Sequence, residues 1–294
     1  MASVIAIDLG GTGIKAGHFD AEGRELAVIS RPTPRPGTPE AIFASFKEIV
    51  ATLDPQKRAS AIGVGVPGLV DTTGRLVYAT CNLDGWHDVP LAEQLEQATG
   101  LPTVLGNDAN LAALGEVWLG SASQYGSAIL LTLGTGVGGG IIHQGTVFTG
   151  SRGLAGEIGH MVFDRSGPAC VCGSKGCLEQ YISAPAIQRR FGTDPEVLGK
   201  LAESGDQEAL ACWQEVGKDL GFALVSLLNL LDSEVAIVGG GVSASCRFMF
   251  PAALEEMARY PTSVRPGFQL LQASLGNDAG RIGAARLALS TLVS

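Results

Sequence analysis

Short apolar runs that end at glycine turns recur along the chain and predict the strands of an α/β protein. Residues 4–7 are such a run, which ends at Asp8 before a glycine turn, and a second strand is predicted from Ile14. Residues 127–148 repeat this order of strand, glycine turn and strand. The repetition indicates an internal duplication, so we expect two related half-domains that face one cleft.

Helices are predicted where apolar residues recur at a spacing of three and four. Residues 39–53 place five apolar side chains on one face, those of Ile42, Phe46, Ile49, Val50 and Leu53. Residues 91–99 form a shorter helix, and residues 216–231 are apolar on nearly all sides, which predicts a buried helix. Further elements are strands at residues 61–66, 103–105 and 235–238, a helix from about residue 107 to 119, and a closing helix at 278–289.

The composition is typical of a globular protein that binds neither nucleic acids nor membrane surfaces. Apolar residues make up 46% of the 294 residues and the mean hydropathy is +0.25, which favours large cores in about two domains. The formal net charge of −9 argues against a nucleic-acid or membrane-surface partner. The N-terminus lacks a signal-peptide pattern and the apolar runs are too short to span a bilayer, so we expect a cytoplasmic protein.

Three glycine-rich turns are candidates for nucleotide binding, because a backbone free of Cβ atoms can present several N–H groups to phosphate oxygens. The first follows Asp8, whose carboxylate can hold Mg²⁺ directly or through water; the alternative is an ordinary hairpin beside an acid. The third precedes a predicted helix and suits the base and ribose of a nucleotide. The turns contain Gly10, Gly11 and Thr12; Gly134, Thr135 and Gly136; and Gly239, Gly240 and Gly241. The GxGxxG spacing of Gly63, Gly65 and Gly68 opens no helix, and no P-loop motif occurs, so we predict neither of those nucleotide sites.

A cysteine-rich loop predicts a metal centre. Cys170, Cys172 and Cys177 lie within eight residues, with glycines between them that let the backbone fold back, and His160 is the nearest candidate for a fourth ligand. Three thiolates and an imidazole favour Zn²⁺, and four protein ligands indicate a structural site. The alternative is a disulfide or free thiols. A bridge between Cys170 and Cys172 would be strained, and the chain shows no secretory signal.

Acidic residues near this loop and after a predicted strand are candidates for binding and activating a hydroxyl group. Glu157 and Glu179 flank the metal ligands, and carboxylates on a rigid loop are suited to a polyhydroxylated ligand; otherwise they are solvated surface acids. Asp108 follows a strand and begins a helix, whose N-terminus would keep its carboxylate anionic. We predict Asp108 as the general base of phosphoryl transfer from a nucleoside triphosphate, the alternative being a helix cap. Asn107 and Asn110 could orient the sugar.

The order of these segments resembles the ROK family of sugar kinases and repressors. The resemblance covers nearly the whole chain and is most specific in Glu157-Ile158-Gly159-His160 together with Cys170-Val171-Cys172-Gly173 and Gly176-Cys177-Leu178-Glu179. The other matching segments are Asp8-Leu9-Gly10-Gly11-Thr12, Asn82-Leu83 with Gly85-Trp86, Asn107-Asp108-Ala109-Asn110, Gly134-Thr135-Gly136 and Gly239-Gly240-Gly241-Val242-Ser243.

The resemblance implies a fold, a division into domains and a set of site residues. The fold is the actin-like ATPase fold, an α/β fold of two RNase H-like domains around a central cleft. We expect a small N-terminal domain of residues 1–107, on which the helix of residues 276–294 packs, and a larger domain of residues 108–275. The implied sugar-binding residues are Asn82, Asn107, Asp108, Glu157, His160 and Glu179, with Asp108 as the base. The implied zinc ligands are His160, Cys170, Cys172 and Cys177, so His160 would serve both sites.

Within the family, the chain is most similar to bacterial glucokinases, because the first strand begins directly after Met1 without a DNA-binding segment. The expected reaction is ATP- and Mg²⁺-dependent phosphorylation of glucose at the 6-hydroxyl group, by a homodimer or homotetramer. One alternative is another sugar: N-acetylmannosamine, fructose or allose. Another is polyphosphate as the donor, because the Gly11-Thr12-Gly13-Ile14-Lys15 segment resembles that of polyphosphate glucokinases. A non-catalytic sugar sensor would be expected to lack Asp108 or the glycine turns, and an actin-like ATPase or phosphatase would not need the sugar-binding acids.

Overall fold

A computed structural model describes residues 2–80, 83–261 and 266–292. The chain divides into two units, each with its own sheet and helices. Unit 1 comprises Met1–Ser123, Gly145–Ala155 and Asn277–Ser294, and unit 2 comprises Gln124–Gln144 and Gly156–Gly276. The chain therefore passes from unit 1 to unit 2 and back twice.

Unit 1 is built on a five-stranded sheet in the order β3-β2-β1-β4-β8. β1 pairs antiparallel with β2 and parallel with β4, and β4 pairs parallel with β8. A small second sheet has the order β5-β6-β7. The strands are β1 (Ser3–Leu9), β2 (Gly13–Asp20), β3 (Glu25–Pro32), β4 (Ala61–Val66), β5 (Gly68–Val70), β6 (Val77–Thr80), β7 (His87–Val89) and β8 (Thr103–Asn107), and the unit also contains β11 (Thr146–Val147).

Four helices cover the sheet of unit 1: α1 (Pro39–Leu53), α2 (Leu91–Thr99), α3 (Asp108–Leu119) and α9 (Ala279–Ser290). The five apolar residues predicted on one face of α1 are all buried. α3 and α9 approach so closely that a Cβ atom on Gly283 would overlap the carbonyl oxygen of Leu111, and one on Gly115 would overlap that of Ala279. These glycines are thus required for the packing of the two helices.

Unit 2 repeats the strand arrangement of unit 1, as the predicted duplication requires. β10 (Val137–His143), β9 (Ala128–Leu133), β12 (Val235–Gly239) and β13 (Gln269–Gln272) are hydrogen-bonded in that order. β9 pairs antiparallel with β10 and parallel with β12, just as β1 pairs with β2 and β4. The helices are α4 (Glu179–Ile182), α5 (Ala184–Phe191), α6 (Pro195–Glu203), α7 (Gln207–Leu231) and α8 (Cys246–Ala258).

The structure differs from the predicted elements at three points. α7 begins at Gln207 rather than near 216, because the side chain of Asp206 caps a polar first turn that apolar spacing does not reveal. The segment after the third glycine turn is first a 3₁₀ helix, Gly241–Ser245, and only then α8. The division after residue 123, rather than at 107, follows from the packing of α3 on α9. In the described part of the chain, no helix is long and apolar enough to cross a membrane.

Candidate active site and metal centre

Unit 1 brings its candidate site residues together at one edge of its sheet. β1, β4 and β8 are parallel and adjacent, so their carboxyl ends lie side by side. Asp8 is in register with Gly65 of β4, and Val66 is in register with Asn107 at the end of β8. Asp108 is the first residue of α3 and follows directly. The topology therefore places two acids, 100 positions apart in sequence, at the same edge.

Asn107 rather than Asp108 is the N-cap of α3. Its side-chain oxygen accepts hydrogen bonds from the amides of Ala109 and Asn110 at 3.0 and 3.1 Å. Its side-chain amide donates to the carbonyl oxygen of Gly68 at 3.1 Å. Asp108 accepts from the amide of Ala109 at 2.8 Å. The helix cap that was the alternative role for Asp108 is therefore provided by Asn107.

Asp8 is held in surroundings that oppose its ionisation. Burial raises its pKa from 3.8 to about 7, with a further upward contribution from the charge of Asp108. Lys15 and Arg281 lower the pKa, and Asp278 raises it, by smaller amounts. A cation at this edge would relieve the repulsion between the two acids and favour the ionised form of Asp8. Oxygen ligands of this kind suit a hard divalent ion such as Mg²⁺.

The first glycine turn, Gly10-Gly11-Thr12, has its carbonyl oxygens bonded to neighbouring residues. The hydroxyl of Thr33 donates to Gly10 at 2.6 Å, and the amide of Thr33 donates to the carbonyl oxygen of Thr12 at 3.1 Å. Arg35 donates to the carbonyl oxygen of Gly11 at 3.1 Å. The turn also closes on itself, from the amide of Gly10 to the oxygen of Gly13 at 2.9 Å.

The second and third glycine turns of unit 2 lie together because β9 and β12 are parallel neighbours. Gly240 has a φ of +81°, and a Cβ atom on it would overlap the carbonyl oxygen of Leu133, so only glycine fits there. A cavity of 460 Å³ adjoins the two turns. Gly134, Thr135 and Gly241 line it, whereas Gly136, Gly239 and Gly240 are absent from its lining.

A further wall of this cavity could not be predicted from the sequence. It is formed by α6 and the residue before it, with Asp194, Glu196, Gly199, Lys200 and Glu203. Lys200 is paired with Glu196 at 2.6 Å, and Arg247 is paired with Glu203 at 2.5 Å. The Asp-Pro-Glu sequence at 194–196 signals a helix start, since the side chain of Asp194 caps α6, but no sequence feature shows which face lines a cavity.

The predicted metal ligands converge within unit 2. One ligand atom from each of His160, Cys170, Cys172 and Cys177 lies within 4.8 Å of the other three, an arrangement that could hold a metal ion. The Sγ atom of Cys170 is 3.7 Å from Nδ1 of His160, and those of Cys172 and Cys177 are 3.6 Å apart. The cysteines are free thiols, which removes the disulfide alternative. Burial raises the pKa of Cys177 to about 12, so a thiolate there requires a nearby cation.

The loop that presents these ligands depends on two glycines. Gly173 and Gly176 have φ values of +89° and +63°. A Cβ atom on Gly176 would overlap the carbonyl oxygen of Asp164, and its own amide donates to Pro168 at 2.7 Å. Three sulfur atoms and one imidazole nitrogen in a closed loop match the donor set of a tetrahedral structural site.

The two acids that flank the loop have different surroundings. Glu157 is exposed and precedes the 3₁₀ helix Ile158–His160, which carries the candidate histidine ligand. Glu179 is partly buried, and its Oε2 atom accepts a hydrogen bond from the amide of Val137 at 3.0 Å. Asn110 is buried in α3, and within the part of the chain that the structure describes its side-chain oxygen lacks a hydrogen-bond partner. Asn82 lies outside the described residues.

Duplicated sheets, paired glycine turns and a Cys₃His loop define a two-unit α/β protein with candidate nucleotide and metal sites. The model of the ROK family matches residues 4–291, and the chain therefore belongs to that family. It is 32% identical to the glucokinase of Thermotoga maritima over 308 aligned positions, which cover 97% of this chain and 96% of the relative. It is 33% identical to the N-acetylmannosamine kinase of Escherichia fergusonii over 293 positions, which cover 97% and 98% of the two chains.

A solved structure extends the similarity to three dimensions. The ROK family glucokinase from Streptomyces griseus, in complex with glucose and AMPPNP, has a TM-score of 0.79 and 35% identity to this chain, with 98% of this chain and 100% of that one covered. The expected actin-like ATPase fold is thereby confirmed.

Proposed function

We propose that the protein is a hexokinase-type phosphotransferase that transfers the γ-phosphoryl group of ATP to the 6-hydroxyl group of glucose. The observation that carries this proposal is the match, over 98% of this chain and 100% of the other, to a glucokinase in complex with glucose and AMPPNP. The curated relatives at 32–36% identity that are glucokinases support it.

Asp108 is the proposed general base. Phosphoryl transfer requires little covalent chemistry from the protein, so one group must receive the hydroxyl proton while others position the reactants. The capping of α3 by Asn107 leaves Asp108 in the first turn, where the helix N-terminus favours a carboxylate. Asn107 also donates to Gly68, so it fixes the turn after β4 relative to Asp108.

Asp8 is proposed to hold Mg²⁺ with the triphosphate of ATP. The fit rests on its position beside a second acid and on surroundings that keep it partly protonated until a cation is present. Bound Mg²⁺ would supply charge neutralisation for the phosphate oxygens. Gly10, Gly11 and Thr12 would contribute backbone amides to the phosphates.

The nucleotide base and ribose are proposed to occupy the cavity beside the second and third glycine turns. Its 460 Å³ volume is in the range of small-molecule sites, and Gly134, Thr135 and Gly241 reach it. Gly136, Gly239 and Gly240, which do not line it, would act by shaping the turns. The similarity to a glucokinase in complex with AMPPNP supports ATP over polyphosphate as the donor.

The residues proposed to bind the sugar are Asn82, Asn107, Asp108, Glu157, His160 and Glu179. His160 directs Nδ1 towards the cysteine cluster, so Nε2 would be the nitrogen that contacts a sugar hydroxyl. The Cys₃His cluster is proposed to hold one structural Zn²⁺, which would fix this histidine and the loop around it.

A second candidate substrate is N-acetylmannosamine, because the kinases for that sugar match almost the whole chain at 33% identity. The same acids and amides would serve either sugar. For the quaternary structure we propose a homodimer or homotetramer, which light scattering on the purified protein would distinguish from a monomer.

The proposed function is tested by measuring ADP release with a panel of sugars and donors. Glucose, N-acetylmannosamine, fructose and allose would each be combined with ATP or polyphosphate. We expect the highest kcat/KM for glucose with ATP. A preference for N-acetylmannosamine would select the second candidate, and absence of turnover with every pair would refute both.

A further inference from the structure

The second glycine turn is held in place by Glu179, a residue assigned so far only to sugar binding. Val137 begins β10 directly after this turn and pairs with Leu133 across the hairpin. Its amide donates to Oε2 of Glu179 at 3.0 Å. A Cβ atom on Gly136 would be 2.5 Å from the same oxygen, so the carboxylate occupies the space that a larger residue at 136 would need.

A second hydrogen bond connects the same segment to the turn. The amide of Ala184, the first residue of α5, donates to the carbonyl oxygen of Gly134 at 2.8 Å. Gly134 and Ala184 both line the cavity proposed for the nucleotide. The stretch from Glu179 to Ala184 therefore contacts both ends of the second glycine turn.

Two segments that carry candidate metal ligands lie near the start of β10: the loop of residues 170–179 and the 3₁₀ helix Ile158–His160. Glu179 follows Cys177 by two residues, and its Oε1 atom is 4.0 Å from the Sγ atom of Cys170. On the other side, the 3₁₀ helix that carries His160 packs so tightly that a Cβ atom on Gly159 would overlap the carbonyl oxygen of Val137. The segments that carry the Cys₃His cluster thus lie next to the second glycine turn within one unit.

We propose that Glu179 is a positioning residue for the nucleotide-binding turn. The inference rests on the proposed function, since it takes the second glycine turn to be part of the ATP site. A carboxylate that accepts a backbone amide forms a charge-assisted hydrogen bond, and its loss leaves that amide without an acceptor. The turn then gains freedom that nucleotide binding has to remove.

The test measures two affinities separately by calorimetry: AMPPNP with Mg²⁺ on sugar-free protein, and glucose on nucleotide-free protein. Glu179→Ala is expected to weaken AMPPNP binding by about tenfold or more, which corresponds to the loss of one charge-assisted hydrogen bond. Glu179→Gln keeps an oxygen acceptor for Val137 and is expected to stay within about threefold of wild type for AMPPNP. Amide hydrogen exchange at Val137 should accelerate in the alanine variant and remain slow in the glutamine variant.

Two controls separate this role from sugar binding. Glu157→Ala removes the other acid that flanks the loop and should weaken glucose binding while leaving AMPPNP binding unchanged. Glu215→Ala removes an exposed acid of α7 and should change neither affinity. If Glu179→Ala does not fold, Gly136→Ala displaces the same carboxylate from the opposite side and should weaken AMPPNP binding in the same way.

An AMPPNP affinity in Glu179→Ala equal to that of wild type would overturn the inference and leave the proposed function intact. Wild-type protein that binds glucose but no nucleotide would overturn both. Equal losses of AMPPNP affinity in the alanine and glutamine variants, with unchanged exchange at Val137, would show that the charge rather than the hydrogen bond is responsible, and would also overturn the inference.

Discussion

Replacing Asp8 with asparagine is expected to stabilise the protein at neutral pH while it abolishes activity. The carboxylate of Asp8 is packed against the start of α9, where a Cβ atom on Gly280 would be 2.8 Å from Oδ2. Burial, followed by the charge of Asp108, raises its pKa from 3.8 to about 7. Asparagine has nearly the same shape and no charge to bury, so it removes the unfavourable contribution.

The sign and size of the effect follow from the two pKa values. Below pH 3.8 the group is protonated in both the folded and the unfolded chain, and it contributes nothing. Between that value and about 7 only the unfolded chain ionises, so the free energy of unfolding falls as the pH rises. A rise in the pKa of Asp8 by about three corresponds to about 4 kcal/mol in the free energy of unfolding. Because the side chain is partly exposed, we expect about half of that, ~2 kcal/mol, at pH 8.

The assay is denaturant unfolding of wild type and Asp8→Asn at pH 5 and pH 8, without ligands or divalent ions. The variant should be more stable at pH 8, and the gain should shrink to less than half at pH 5. Asp71→Asn is a matched control with the opposite sign. Burial acts to raise the pKa of Asp71, but the Thr73 hydroxyl and three backbone amides outweigh it and lower the pKa. That variant should lose stability at pH 8.

The reasoning would be refuted by an Asp8→Asn variant that is less stable than wild type at pH 8, or equally stabilised at both pH values. Either result would mean that Asp8 is already ionised in the free protein at neutral pH. The lowering of its pKa by Lys15 and Arg281 would then outweigh the rise caused by burial and by the charge of Asp108.

Three further predictions concern the metal centre and the packing of unit 1. Cys172→Ser should reduce the zinc content, measured by metal analysis, from about one ion per chain to well below that. It should also lower the melting temperature in calorimetry without preventing folding. A metal-free, fully active wild type would contradict this prediction. Gly283→Ala should destabilise the protein by about 1–3 kcal/mol in denaturant unfolding, since its Cβ would overlap the oxygen of Leu111 and separate α3 from α9; an unchanged midpoint would show that the helices adjust freely. Trp86→Phe removes the 2.8 Å hydrogen bond from Nε1 of the buried Trp86 to the carbonyl oxygen of Gly37. The free energy of unfolding should fall by about 1–3 kcal/mol in denaturant unfolding. An unchanged value would show that water replaces the indole donor.

The elements with strong local signals could be predicted from the sequence. The helices at 39–53 and 91–99 and the strand at 61–66 have the predicted bounds, because their periodic apolar faces and flanking turn residues are all local features. The duplication was visible as a repeated strand, glycine turn and strand, and the matching sheet orders confirm it. The convergence of His160 with three cysteines was predictable because metal ligands have characteristic spacings.

Features that depend on contacts between distant segments could not be predicted. The assignment of α3 to unit 1 depends on Gly115 and Gly283, which are ordinary helix residues until the two helices are seen in contact. The hydrogen bond from Val137 to Glu179 joins residues 42 positions apart, and nothing in either segment indicates the other. The lining by α6 of the cavity proposed for the nucleotide likewise depends on which face of a polar helix is turned inward.

The central claim is that Asp108 acts as the base in phosphoryl transfer from ATP to the 6-hydroxyl group of glucose. The most direct measurement is ³¹P NMR of the product formed from ATP, Mg²⁺ and glucose by wild type and by Asp108→Asn, with glucose binding to each protein measured by calorimetry. We expect wild type to form glucose 6-phosphate, and the variant to bind glucose within about threefold of wild type while kcat falls by at least about 10²-fold. Near-normal turnover by Asp108→Asn, or a wild type that forms no sugar phosphate, would contradict the account.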